Sequence, residues 1–121
     1  MRFMIIVKAA ENAGPPPAAL MAAIAKLGEE ATRAGAMVET GGLLPSAMGA
    51  RVRLSAGKLM VTDGPFADSK EQVGGYAVYD VNSKNEAIEW TSRFMQLHQE
   101  HWPGWEGESE IRQIFDAPSK C

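Results

Sequence analysis

The chain is poor in the residues that mark the commonest kinds of site. Its single cysteine, Cys121, is the last of 121 residues, which excludes an internal disulfide framework and a cysteine-rich metal centre. A reducing cytoplasm is the expected compartment. Charge of neither sign dominates: a net charge of -3 with 22% charged residues gives no electrostatic footprint for nucleic acid or anionic lipid. Long hydrophobic runs are missing as well. The opening "MRFMIIVKAAENAG" holds one basic residue and a short apolar run before Lys8, too little for a secretory segment or a membrane span. No phosphate-binding loop, dinucleotide fingerprint or nucleophile elbow occurs, so the usual cofactor and hydrolase classes are excluded. The expectation is no cofactor and no metal.

What remains suits one compact unit. With 45% hydrophobic residues the chain can bury a real core, and a single domain over 1–121 is expected, ordered to about 116 with a polar tail at 117–121. "RFMIIVK" reads as a strand whose apolar residues do not alternate, so both its faces need cover. After "NAGPPP" a helix begins near Pro16 or Pro17, with Leu20, Met21, Ile24, Leu27 and Ala31 at helical spacing and Gly35 as its stop. "AMVETGGLLP" is a second strand, bent or bulged at Gly41 and Gly42. "RVRLSAGKLMV" reads as a hairpin turning at Ala56-Gly57. "GGYAVYDV" sets Tyr76 and Val78 on one face and Ala77, Tyr79 and Val81 on the other. Ser83 to Glu86 is a capping box opening a second helix, which Pro103 and Gly104 stop. "ESEIRQIF" supplies the last strand.

This order predicts an α+β fold of the split βαβ or ferredoxin-like kind with an inserted hairpin. Two helices cover one sheet face only. A second copy laid sheet against sheet is the expected cover for the other, giving a homodimeric α+β barrel.

Asp63 is the first candidate for chemistry. It ends the hairpin where Gly64-Pro65 forces a turn; its carboxylate either accepts turn amides or, flanked by Phe66 and Tyr76, exchanges protons. The charges Asp68, Lys70 and Glu71 make either a solvated loop or a lid. Gly74 and Gly75 allow a bulge or the close approach of a ligand. On the second helix, the stripe Ala87, Ile88, Thr91, Phe94, Met95 and Trp102 centres on His98, which should face inward as a core residue or a catalytic one. His101 lies at the stripe's margin. The two histidines lack a nearby third ligand for a metal. Trp102 and Trp105 either staple the helix end or wall a pocket, and Arg53 and Arg112 are ordinary strand arginines or a clamp for an anion.

The runs "VTDGPFADSKEQVGGY", "GGLLPS", "ARVRLSAGK" and "HWPGWEGESEIRQIF" together resemble the YCII-related proteins of the DGPF type, small bacterial proteins named for the tetrapeptide that here is Asp63 to Phe66. The resemblance spans nearly the whole chain. It implies a dimeric α+β barrel, and it gives Asp63 the part of an aspartate proposed in that group to form an acid–base pair with a histidine. In those relatives the histidine lies on the first helix, where this chain has none, so His98 or His101 would have to substitute. A few relatives eliminate chloride from muconolactone-type lactones, and that activity does not transfer here.

The expected function is therefore binding or transformation of a small molecule, lactone-like or enolisable, by a lyase- or isomerase-like acid–base route. Asp63 and His98 are the catalytic candidates, and Phe66, Gly74, Gly75, Tyr76 and His101 the substrate-binding ones. The alternative is a non-catalytic regulatory module that contacts a partner such as a sigma factor, many members being encoded beside one.

Overall fold

The computed structural model describes residues 1–66 and 71–115. The charges at Asp68 and Lys70, and the tail from 117, lie outside the described residues. The chain builds β1 (Arg2–Ala9), α1 (Ala18–Arg33), β2 (Met37–Gly42), β3 (Ala50–Ser55), β4 (Lys58–Asp63), β5 (Gln72–Asp80), α2 (Lys84–His101) and β6 (Gly107–Gln113). These make an α+β fold with a four-stranded antiparallel sheet, ordered β2-β5-β1-β6, and a separate β3-β4 hairpin.

Helix ends follow local chemistry. Pro17 is the N-cap of α1, where a missing amide hydrogen is harmless. At the other end the Ala36 amide turns back to the Ala31 carbonyl at 2.9 Å, which satisfies a last-turn acceptor. Leu20, Leu27 and Ala31 are buried, whereas Met21 faces solvent, one residue round the helix from Leu20. Ser83 caps α2 by accepting the Glu86 amide at 3.2 Å. The reciprocal half of the box is displaced: Glu86 accepts from the Asn82 backbone at 3.3 Å and from its side chain at 3.2 Å.

The core lies between the sheet and the two helices. Phe3 pairs with Tyr79, and Ile5 with Ala77 and Ile111; cross-strand partners share a face, so all five point toward the helices. Ala87 and Trp90 of α2 close over them. The helices are tied together by Arg93, whose guanidinium grips both carboxylate oxygens of Glu30 at 2.7 and 2.8 Å.

No helix among the described elements covers the other face. Its centre is apolar, with Met4 paired to Val78 and Ile6 to Tyr76, and Val78 is buried by its neighbours. Its rim is polar, which the unbroken apolar look of β1 did not suggest: Lys8, Glu39, Glu110 and Arg112 all project on this side, by the register of β1, β2, β5 and β6. The glycines of β2 also behave differently from expectation. Gly41 and Gly42 pair regularly with Tyr76 and Gly75, and the register slips nearer the start of the strand, between Met37 and Glu39. The bulge expected at Gly74 is present, since the β1-β5 register jumps from Gly75 to Val73.

Replacing Ser83 with alanine removes the cap of α2 and should lower stability by about 1 kcal/mol. Urea unfolding followed by far-UV circular dichroism measures this.

Candidate functional site

The turn after β4 is held from below by Ser46. The hydroxyl of Ser46 donates to Glu11 at 2.8 Å, the Ser46 amide donates to the other oxygen of the same carboxylate, and the hydroxyl accepts the Phe66 amide at 3.2 Å. One hydroxyl thus spends its proton on the acid and its lone pair on the turn. The Gly64 amide donates to the Gly49 carbonyl at 3.0 Å. Position 64 has to be glycine, because a Cβ there would sit 1.7 Å from the Ser46 carbonyl oxygen. The Gly64-Pro65 bond is cis. Phe66 lies beneath the Arg51 guanidinium, 4.0 Å from ring centre to carbon, and its carbonyl accepts from the Gln72 side chain at 3.1 Å.

Asp63 therefore stands on a turn anchored at several points, with its own side chain exposed. The Gly64 and Phe66 amides, which a turn-capping aspartate would take, are already used by Gly49 and Ser46. Gln72 pairs with Ala9, so the turn sits at the Lys8 end of the main sheet.

The open sheet face carries a second constellation. Lys8 and Glu110 meet at 2.6 Å, and Arg112 reaches the other oxygen of Glu110 at 2.9 Å. The hydrogen bond and charge of Glu110 raise the Lys8 pKa; Lys8 first, then Arg112, hold Glu110 below the usual carboxylate range. Tyr76 donates to Glu39 at 2.7 Å, and that hydrogen bond, with the carboxylate's charge, pushes the phenol above its ordinary pKa. Tyr76 can reach Glu39 because its ring crosses Gly41, where a Cβ would be 2.9 Å from the ring. Gly75 lies against the Gly41 carbonyl. Gly75 thus lets two strands approach closely, and Gly74 is the residue that the β1-β5 register skips.

His98 faces inward, as its helical phase predicts, and is 6% exposed. Its Nδ1 lies 3.0 Å from the Phe94 carbonyl. A carbonyl only accepts, so Nδ1 carries the proton and Nε2 is the basic atom of the neutral ring. Burial pushes the imidazole below its ordinary pKa, partly opposed by the Phe94 hydrogen bond. The ring packs on Trp105 and Phe94, with centroids 4.4 and 4.7 Å away, and Trp102 stacks on Trp105 at 5.9 Å. His98, Trp102 and Trp105 border an open groove of about 500 Å³ that Met95, Gln99 and Glu106 also line. His101 is half-buried, 3.9 Å from Glu100.

The structure gathers Asp63 and Phe66 on one clamped turn and sets Tyr76 on the open face, with Gly75 next to it in β5 opposite Val7. His98 and His101 belong to the helix layer. Among the described residues the rings around His98 come from α2 and the segment just after it, and none from the hairpin. The residues that sequence reasoning missed are Ser46, Glu11, Lys8, Glu39 and Glu110. Strand parity could have placed Lys8 and Glu110 on the open face; nothing local signals that Ser46 meets Glu11, 35 residues away. Among the described residues no three His, Cys, Asp or Glu side chains converge to hold a metal ion, and no helix is long and apolar enough to cross a membrane.

A two-helix α+β domain with one open sheet face and a clamped Asp-Gly-Pro-Phe turn defines the class. The chain belongs to the YCII-related domain family, which matches residues 1–101. It is also similar to an uncharacterized protein of Rhizobium meliloti (strain 1021), 45% identical over 47 residues, which are 39% of this chain and 38% of that protein.

Gly64→Ala should displace the turn from Ser46 and cost about 3 kcal/mol, read from urea midpoints. The second expectation concerns acid. Because the folded pKa of His98 lies below the 6.5 of an unperturbed histidine, its contribution to stability is present above that value and lost as pH falls through the folded pKa. The urea midpoint should drop between neutral pH and pH ~5, and His98→Phe should make that drop smaller.

Proposed function

We propose that this YCII-related protein is a homodimer, a dimeric α+β barrel of the ferredoxin-like kind, that holds a small organic molecule between two open sheet faces and uses Asp63 as acid or base. One observation carries this reading: a rigidly mounted, exposed carboxylate stands at the end of a sheet face left open by the helices. Rigid mounting matters because proton transfer needs the carboxylate within about 3 Å of the reacting hydrogen's parent atom, and a turn tied to Ser46 keeps it from wandering. Covering the face with a second copy removes water that would compete for the carboxylate and the reacting hydrogen.

The open face also limits the ligand. Lys8 and Arg112 share Glu110, and Glu39 supplies the second negative charge on this face, so the lining is polar without a strong net field, suited to a neutral, oxygen-rich molecule such as a lactone or an enolisable ketone. The reaction class is abstraction of a proton beside a carbonyl and its return elsewhere or loss with a leaving group, the isomerase- and lyase-like routes. Tyr76 supplies a hydroxyl at this face that is protonated at neutral pH.

Asp63→Asn keeps shape and removes the proton-transfer group. The variant should retain the native melting temperature and oligomeric state. In a thermal-shift screen of small lactones and enolisable ketones, compounds that stabilise the wild type should be turned over by it and not by the variant. Loss of folding equal to loss of turnover would return Asp63 to a purely structural role.

A further inference from the structure

His98 has a nitrogen that the fold leaves unused. The side chain is 6% exposed, Nδ1 donates to the Phe94 carbonyl, and Nε2 has no hydrogen-bond partner among the described residues. Nor is Nε2 sealed in. Thr91 Oγ1 is the one fully enclosed, unpartnered side-chain nitrogen or oxygen among the described residues, so Nε2 keeps contact with solvent. The opening that His98 borders is the groove at the end of α2. Burial holds the imidazole below its ordinary pKa, against the Phe94 hydrogen bond, so at neutral pH Nε2 offers a lone pair to that groove. A donor placed there meets a nitrogen that is almost enclosed, where a hydrogen bond is stronger than in bulk water.

The rest of the lining selects the donor. Trp102 and Trp105 are half-buried, so each indole keeps some surface open on the groove it lines. Gly107 sets Trp105 in place: a Cβ there would be 2.4 Å from the indole ring, so the ring rests on the backbone at the start of β6. Indole faces attract a cation that comes within about 6 Å of the ring centre. Glu106 adds a carboxylate, Gln96 and Gln99 add amide oxygens, and among the described residues no lysine or arginine lines the groove. The lining thus combines acceptors, π faces and one negative charge, with no cation of its own to balance it.

We infer that this groove binds a protonated primary amine carried on a flat aromatic body, the ammonium donating to His98 Nε2 and to Glu106 while the ring lies against Trp102 and Trp105. An ammonium has three N–H groups, enough for both acceptors and one glutamine oxygen. The volume of about 500 Å³ suits a small molecule of this kind. The inference goes beyond the acid–base reading of Asp63. The rings around His98 come from α2 and the segment just after it, so the site stands within one chain whatever its oligomeric state.

The test titrates phenethylamine into the isotope-labelled protein at neutral pH and follows the indole N–H signals of the three tryptophans by NMR. Those of Trp102 and Trp105 should shift and saturate, while that of Trp90, packed on Tyr79, should stay. Two related probes separate the contributions. Phenethyl alcohol keeps the ring without the charge, and phenethyltrimethylammonium keeps the charge without an N–H; each should bind about tenfold or more weaker. Glu106→Gln and His98→Phe should each weaken the amine by about tenfold or more. Glu106 is exposed, so its variant reports on binding even where His98→Phe disturbs the packing. Indole signals that stay put at about 10 mM amine overturn the site. Alcohol binding equal to the amine, or a Glu106→Gln variant as tight as the wild type, overturns the cationic ligand. Equal binding of the quaternary ammonium, or undiminished binding to a folded His98→Phe variant, removes Nε2 from the site and overturns the proposal with it.

Discussion

The Ser46 carbonyl occupies the space that a side chain at position 64 would need, and the geometry around Asp63 depends on that contact. Because Gly64 has no Cβ, the turn settles directly on the Ser46 peptide. Once it is there, the Ser46 hydroxyl can take the Phe66 amide while giving its proton to Glu11. The result ties together the segment after β1, the approach to the hairpin and the start of β5. Each bond is modest, on the order of 1 kcal/mol net, or more for those to the charged carboxylate. Their value is geometric, since they use up the turn's own amides and leave the Asp63 carboxylate for other purposes.

The two faces of the main sheet differ in kind. On the helix side Phe3, Ile5 and Tyr79 are buried under Ala87 and Trp90, the usual arrangement of a packed layer. On the open side the ionisable groups are hydrogen-bonded to one another, Lys8 and Arg112 to Glu110 and Tyr76 to Glu39. Paired in this way they can be covered at less cost than isolated charges, because each partner replaces part of the water the other loses. An open face of this composition is consistent with enclosure by a second copy and with a polar interior once enclosed.

The histidine belongs to a different part of the molecule. His98 is held by Phe94, Trp102 and Trp105 in the helix layer, with Nδ1 committed to a backbone carbonyl. An imidazole fixed in this way packs the end of α2 and keeps it neutral. The acid–base reading therefore rests on Asp63 and the surfaces that come to surround it. That also fits a family member whose first helix carries no histidine.

How much of this could be read from the residues depends on how far apart the interacting groups lie. Strand and helix positions, the Ser83 cap, the Ala56-Gly57 turn, the Gly74 bulge and the inward phase of His98 followed from the sequence alone, because alternation, helical period and turn chemistry act over a few neighbouring residues. The glutamate of the capping box turned to Asn82, Met21 and Ile88 fell on the solvent edge of their stripes, and Gly41 proved to make room for a tyrosine ring. Those outcomes were set by neighbours in space. The Ser46 seat for the turn, the Lys8–Glu110 pair and the aromatic surround of His98 were decided by tertiary structure, since contacts between chain segments far apart in sequence leave no local trace. The hairpin shows both sides of this. Its alternation was legible as a pattern, but only the fold reveals that its apolar side is left exposed among the described residues.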